Sequence, residues 1–254
     1  MFVACSTLCF SGEPLESALR HIAELEFDKF ELAIRKDSPH LRTSEVLENH
    51  EAAAHRLRHG PSLTPSGLSF DFGDVEPDSP TLRKRFEVMY RMAKALTVAV
   101  LTIPAAPLAT PFNEEVKRLT TIAGLAMREG LVLSLETCGQ TLTADPTVAA
   151  ELCKAVPGLG LTLDPSHYVQ AGIKDWDMVF PHVHEVHLRD TGKGPGEFQV
   201  RIGQGDIEYG RIVNLLERHG YNRALTVAII DRADNPFDTE VEVRKLKLLL
   251  ESLL

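Results

Sequence analysis

Short apolar segments alternate with amphipathic segments along the whole of this 254-residue chain. Eight of the apolar segments have the length of a buried strand, and most of the segments between them repeat apolar residues at helical spacing. In the first amphipathic segment the repeat consists of Leu15, Leu19, Ile22 and Leu25. Eight strand–helix units in about 250 residues are typical of a TIM (β/α)8 barrel, so we predict one α/β domain of this type over residues 1–254.

An open, doubly wound sheet is the structural alternative. In that fold a glycine-rich phosphate loop follows the first strand, but the segment STLCFSGEP contains no G-x-G-x-x-G motif. The glycine-dense stretch TGKGPGEFQVRIGQGD lies near position 200 and precedes no strand–turn–helix unit. No linker, repeat or low-complexity segment divides the chain, which favours one barrel over two small domains.

The net charge and the cysteine content indicate which partners and which cellular compartment to expect. The net charge of −9 argues against a nucleic-acid or anionic-membrane partner, and no apolar run approaches the ~20 residues that span a bilayer. The segment around Cys5 lacks the basic residues that open a signal peptide, so we predict that it forms the first strand. The four cysteines show no C-x-x-C pairing. Reduced thiols and a cytoplasmic location are therefore expected.

Polar residues end the last strand candidates, LVLSLET, LGLTLDPSH and HEVHLRD, whereas an alanine takes that place in ALTVAII. Alternate residues of a barrel strand face the interior, and the leucines, valines and isoleucines of these segments suit the helix side. The inward positions at the carboxyl ends are then Glu136, Asp164, His187 and Ala228. Active sites of such barrels lie at this end, so we expect these four positions to border one site.

Two carboxylates and an imidazole form a donor set for a divalent cation. Glu136, Asp164 and His187 are therefore predicted metal ligands, and the donor types fit Mn, Mg, Co or Zn. Each residue also has a structural interpretation, because a carboxylate at a strand end often caps the next helix or forms a salt bridge across the rim. Their matched depth on consecutive strands favours the metal.

Further polar residues are candidates for substrate contact. His167 follows Asp164 by three positions and is predicted to donate a hydrogen bond to substrate or to act in catalysis beside Glu136. Glu31 faces inward from the second strand candidate, KFELAI, and is expected at the pocket floor. The loop after the seventh strand often binds phosphate in barrels. Its basic residues Lys193 and Arg201 are therefore predicted to contact a substrate phosphate or carboxylate, unless the loop is only solvated.

Residues near His187 have either supporting or structural roles. Asp190 or Glu185 is expected to orient the His187 ring, although a rim salt bridge explains either equally well. His182 and His184 form an H-x-H pattern that suggests zinc. Because alternation places His184 on the opposite face from His187, structural roles are favoured.

At these residues the chain resembles the xylose isomerase-like TIM barrels, the sugar and sugar phosphate isomerase/epimerase group that also contains the endonuclease IV branch. The resemblance covers nearly the whole chain. It is carried by Glu136, by the D-x-x-H motif of Asp164, by VHLRD, and by GQGDIEYGRIVNLLERHGYNRALTV. In such enzymes a metal is held by Glu, Asp, His and a second Glu. The resemblance therefore implies Glu136, Asp164 and His187 as ligands, with the second Glu replaced by Ala228.

The resemblance implies paired glutamates that exchange protons on opposite faces of a sugar, with the metal polarising the carbonyl. Ala228 removes one acid/base and one ligand, so metal affinity is expected to be low and symmetric epimerisation is disfavoured. One-base isomerisation through Glu136 remains open. Asp231 would replace the missing carboxylate only if its loop curled back, which alternation does not favour.

The leading hypothesis is therefore a metal-dependent isomerase or epimerase-like enzyme acting on a small sugar or polyol derivative. A one-base dehydratase or lyase and a non-catalytic barrel that binds a sugar-like ligand are the alternatives. Endonuclease IV-like hydrolysis would need histidines after strands three and four, where the chain offers LSFDFG and LTIPAAP. A homo-oligomer is compatible with the resemblance, but no segment identifies an interface.

Overall fold

Eight parallel strands close into a barrel in the computed structural model, which describes residues 1–73, 76 and 79–254. Each strand pairs with its neighbours in chain order, and β1 pairs with both β2 and β8 to close the ring. A two-residue strand, Leu41–Arg42, pairs with β2 outside the ring. The barrel strands are β1 (Phe2–Ser6), β2 (Lys29–Arg35), β3 (Thr64–Phe70), β4 (Val100–Pro104), β5 (Val132–Glu136), β6 (Leu159–Leu163), β7 (Val183–Leu188) and β8 (Ala224–Val227). The predicted (β/α)8 barrel is confirmed.

Helices surround the ring. They are α1 (Leu15–Glu24), α2 (Thr43–Glu48), α3 (His50–Arg58), α4 (Pro80–Leu96), α5 (Phe112–Arg128), α6 (Pro146–Ala155), α7 (Pro165–Gln170), α8 (Tyr209–Arg218) and α9 (Thr239–Glu251). Side-chain caps start several of them: Ser79 accepts from the Leu82 amide and Asp145 accepts from the Thr147 amide. The segment between β6 and β7 forms only α7 and a 3-10 helix, Asp177–His182.

The two faces of each strand meet different surroundings. Leu133, Leu135, Leu161 and Leu163 are buried in the apolar layer between the strands and the helices, where each buried leucine contributes about 1.5–3 kcal/mol. Inside the ring, hydroxyl groups hydrogen-bond across neighbouring strands: Thr162 Oγ1 lies 2.8 Å from Thr102 Oγ1 and 2.7 Å from Ser134 Oγ. The strand alternation thus follows the predicted phase.

The four cysteines are free, as their spacing predicted, and Cys5 lies in β1. Among the described residues, no helix has both the length and the apolar character required to cross a bilayer.

Candidate active site

A pocket of about 480 Å³ opens at the carboxyl ends of the barrel strands. All four predicted rim positions contribute to its wall, which also includes two arginines from strand ends. The residues on which the site depends are Arg35, Glu136, Asp164, His187, Arg189 and Ala228. Parallel strands bring these side chains together because their carboxyl ends share one edge of the barrel.

Glu136 is paired with an arginine from the far side of the barrel. It is the last residue of β5, and Arg35 is the last residue of β2. Arg35 Nη2 lies 3.2 Å from Glu136 Oε1 and 3.1 Å from Oε2. Burial raises the pKa of the Glu136 carboxyl, but the charge of Arg35 and the contact with His187 outweigh it and hold that pKa well below its usual range. Glu136 is therefore ionised at neutral pH.

His187 lies between two glutamates. Its Nε2 is 2.8 Å from Glu31 Oε1, and its Nδ1 is 3.6 Å from Glu136 Oε1. Burial lowers the pKa of the imidazole, but the two carboxylates reverse this effect and place it well above its usual value. The ring is held as a cation whose two N–H groups are directed to Glu31 and Glu136.

Asp164 combines a structural and an electrostatic role. Asp164 is the N-cap of α7: its Oδ1 accepts from the amide of Ser166 at 3.1 Å and also from the Ser166 hydroxyl. Its Oδ2 lies 2.8 Å from Arg189 Nη2 and 3.9 Å from His167 Nε2. Burial lowers the pKa of His167, so this ring is neutral and can exchange a hydrogen bond with a ligand in the pocket.

The donor atoms predicted to hold a divalent cation already have protein partners. Both Glu136 oxygens face Arg35, both Asp164 oxygens are engaged by Ser166 and Arg189, and both His187 nitrogens face carboxylates. Within the described part of the chain, no three His, Cys, Asp or Glu side chains converge in a way that would hold a metal ion. Since Ala228 supplies no fourth ligand, the residues present do not fit a resident divalent cation.

Two residues expected to orient His187 have other partners. Asp190 accepts from the amides of Gly203 and Gly205 at 2.7 and 3.1 Å, so it fastens the loop after β7. Glu185 Oε1 instead accepts from the Thr226 hydroxyl at 2.8 Å. The carboxylate that contacts the ring at 2.8 Å is Glu31, which is 1% exposed and lies outside the lining of the pocket. Its predicted contact with substrate stays a prediction.

The predicted phosphate contacts lie away from the pocket. Lys193 pairs with Asp206 at 3.1 Å beside a neighbouring cavity, and Arg201 is exposed with one long contact to the Pro236 carbonyl at 3.5 Å. The loop carries both side chains outward because Asp190 holds its base against the barrel.

Two further alternatives from the sequence are resolved by contacts. Asp231 does not turn back to the place of the missing glutamate, since its carboxylate accepts from Gly12 and Thr239. His184 Nδ1 lies 3.4 Å from the Leu133 carbonyl outside the pocket, in the structural role that alternation favoured.

Three arginines that the sequence analysis overlooked line the pocket: Arg35, Arg189 and Arg232. Two of them continue the alternation that located the other site residues. Arg35 stands four positions after inward-facing Glu31, and Arg189 stands two after His187. Extending the two-residue period through the strand ends would have found both.

The fold and the pocket together have the arrangement of a TIM-barrel enzyme. The barrel is closed and parallel, and its charged pocket lies at the strand ends where such enzymes have their active sites. The family model described as the xylose isomerase-like TIM barrel matches residues 19–249, and the chain belongs to that family. The predicted family is thereby confirmed.

Three solved structures illustrate the likeness. One is described as the probable 3-DHS dehydratase AsbF involved in petrobactin synthesis from Bacillus anthracis, with a TM-score of 0.77, 15% identity and 99% of each chain covered. A second, the IOLI protein with a binding zinc atom, has a TM-score of 0.75 and 18% identity over 100% of this chain and 96% of the other. L-ribulose 3-epimerase has a TM-score of 0.72 and 17% identity over the same shares. At these identities the likeness concerns the fold. No curated protein sequence matches the chain significantly.

Proposed function

We propose that this protein is an enzyme that transfers a proton next to the carbonyl group of a small sugar or polyol derivative, as an isomerase or epimerase-like catalyst does. The observation that supports this most directly is Glu136, a carboxylate that lines a pocket of about 480 Å³ beside two cationic groups, Arg35 and His187. A base flanked by fixed positive charge suits a reaction that builds negative charge on a neighbouring oxygen. The barrel is also similar to proteins described as an epimerase and a probable dehydratase.

In this proposal Glu136 takes a proton from the carbon beside the carbonyl. The electron pair of the broken C–H bond forms a carbon–carbon double bond, and the π pair of the carbonyl moves to its oxygen. The resulting enediolate oxygen is stabilised by Arg35 and His187. A strongly lowered pKa makes a weak base. When a substrate oxygen shares the Arg35 guanidinium, that stabilisation of the Glu136 carboxylate decreases, and its pKa moves towards a value suited to proton transfer.

Ala228 limits the outcome to one face of the substrate. Ala228 lines the pocket with a methyl group and supplies no second acid/base, which the inversion of a carbon centre would need. Glu136 therefore acts as the one base: it exchanges the abstracted proton with solvent while the enediolate exists, and then delivers a proton to the neighbouring carbon in an isomerisation or to a leaving hydroxyl in a dehydration. In an isomerisation the proton of the adjacent hydroxyl also passes to the former carbonyl oxygen. The same alanine favours dehydration as the second candidate, because loss of water requires a single base next to the carbonyl.

Solvent isotope exchange tests this function without knowledge of the product. We would incubate ketoses, aldoses and their phosphates with the protein in deuterated water and follow deuterium at carbon by NMR. Exchange is expected with the wild type and should fall by about 10²-fold or more in Glu136→Gln. The surface variant Glu87→Gln serves as the matched control. Ligand binding without exchange, or exchange unchanged in Glu136→Gln, would overturn the proposal and favour a non-catalytic binding barrel.

A further inference from the structure

The pocket is electropositive in a protein that is acidic overall. Three arginines and two carboxylates line it, which leaves one uncompensated positive charge before the histidines are counted. The chain as a whole carries a net charge of −9. An excess of positive charge inside a cleft raises the local concentration of anions. The charge distribution therefore favours a negatively charged ligand over a neutral sugar.

Arg189 has an unused donor in the site. Its side chain is 6% exposed, its Nη2 binds Asp164, and its Nε is buried with no hydrogen-bond partner among the described residues. The guanidinium also lies over the Phe198 ring at 4.9 Å, which fixes its plane. A buried N–H without a partner costs free energy. An oxygen from a ligand would satisfy this group.

Arg232 adds a second free donor to the same wall. It is exposed, lines the pocket and makes no side-chain hydrogen bond or ion pair within the described ranges. A guanidinium with free N–H groups suits the paired oxygens of a carboxylate or a phosphate. Arg189 and Arg232 thus offer donors for one anionic group, while Arg35 neutralises Glu136.

We propose that guanidinium groups replace the divalent cation in this pocket: Arg35 and Arg189 balance Glu136 and Asp164, and Arg189 with Arg232 binds a carboxylate or phosphate group of the substrate. The argument starts from the disagreement between the predicted metal ligands and their contacts. Each carboxylate that would hold a metal is already neutralised by a side chain that cannot lose its charge. The inference shares the location of the proposed function, but it concerns binding and can be tested without turnover.

The test measures binding of simple probes by isothermal titration calorimetry. Inorganic phosphate and lactate represent the two anion chemistries, and MnCl₂ represents the metal. The wild type is expected to bind at least one anion and to show no stoichiometric Mn²⁺ site. Arg232→Ala and Arg189→Lys should each weaken anion binding by about tenfold or more, because each removes charge-assisted hydrogen bonds. Whichever anion binds more tightly identifies the substrate group.

Two variants guard against a loss of binding that is caused by misfolding or by a general change in charge. Arg189→Lys keeps the positive charge beside Asp164 and so protects folding, and Arg91→Ala removes a surface arginine paired with Glu87 as the matched control. Stoichiometric Mn²⁺ binding that disappears in Asp164→Asn would overturn the inference, as would anion binding equal in wild type, Arg232→Ala and Arg189→Lys, or no anion binding. Anion binding as predicted without isotope exchange would instead contradict the proposed function and leave this inference standing.

Discussion

Carboxyl groups at the rim of the barrel and in the layer beneath it differ in their partners and in their charge. At the rim, Glu136 and Asp164 lie against Arg35 and Arg189, and the charge of Arg35 keeps Glu136 ionised. One layer below, Glu185 is 1% exposed, and its Oε2 has no hydrogen-bond partner in the described part of the chain. Burial, and then the charge of Glu31, raise the pKa of the Glu185 carboxyl to about 8, so this group is neutral at neutral pH.

The difference shows what decides the charge of a buried acid. Burial raises the pKa of both Glu136 and Glu185, and only the one beside a permanent cation stays charged. The rim carboxylate beside Arg35 therefore stays charged, whereas Glu185 in the lower layer stays neutral at neutral pH.

Removal of the Arg189 guanidinium from the rim should have the largest destabilising effect on the protein. Arg189→Ala leaves the Asp164 carboxylate, 1% exposed, without its cation. Breaking a buried ion pair from one side costs about 3–5 kcal/mol, and we expect a loss of this size in the free energy of unfolding, measured in urea. Arg91→Ala breaks a pair whose side chains are both more than half exposed, and should change it by less than about 1 kcal/mol. Equal effects in the two variants would contradict the distinction.

The protonation of Glu185 in the lower layer should make the stability of the protein depend on pH. In the folded state Glu185 keeps its proton up to about pH 8, whereas unfolding returns its pKa to the ordinary value of 4.5. Its contribution to stability is therefore full below that ordinary value and is lost as pH rises towards 8. Glu185→Gln resembles the protonated acid, so it should stabilise the protein by roughly 5 kcal/mol near about pH 9 and by progressively less towards about pH 5.

Urea unfolding of wild type and Glu185→Gln across this range measures the effect. A pH-independent difference between the two proteins would mean that Glu185 is charged in the folded state. The surface variant Glu87→Gln should show no such pH dependence.

The smallest expected effect concerns the hydroxyl that binds Glu185. Thr226→Val removes the donor that lies 2.8 Å from Glu185 Oε1 and keeps the side-chain shape. The loss should be about 1 kcal/mol in the free energy of unfolding. Thr120→Val on α5 removes a solvent-exposed hydroxyl bound to the Val116 carbonyl and should change the same quantity by less than about 0.5 kcal/mol. If Thr226→Val left the free energy of unfolding unchanged, this hydrogen bond would not stabilise the lower layer.

The sequence predicted the barrel and the inward positions because both follow from short-range periodicity. Alternation within LVLSLET and HEVHLRD placed Glu136 and His187 in the pocket, and strand order brought them to one rim. These features depend on neighbours a few residues apart, which a single sequence contains.

The partners of these residues depend on pairings across the whole chain. Arg35 meets Glu136 from 101 positions away, and Glu31 meets His187 from 156 positions away. No local pattern indicates which acid a given arginine neutralises. The partners of Asp190, Lys193 and Arg201 likewise depend on the fold of the loop after β7, which no local pattern contains. The substrate contacts assigned to Lys193 and Arg201 stay predictions.

The central claim is that arginines, and not a divalent cation, balance the rim carboxylates. Crystals soaked in MnCl₂ and measured at the manganese absorption edge would test it directly. The account predicts no anomalous peak between Glu136, Asp164 and His187, with Arg35 and Arg189 remaining at hydrogen-bond distance from the two carboxylates. A strong peak coordinated by those three side chains, with the arginines displaced, would contradict it.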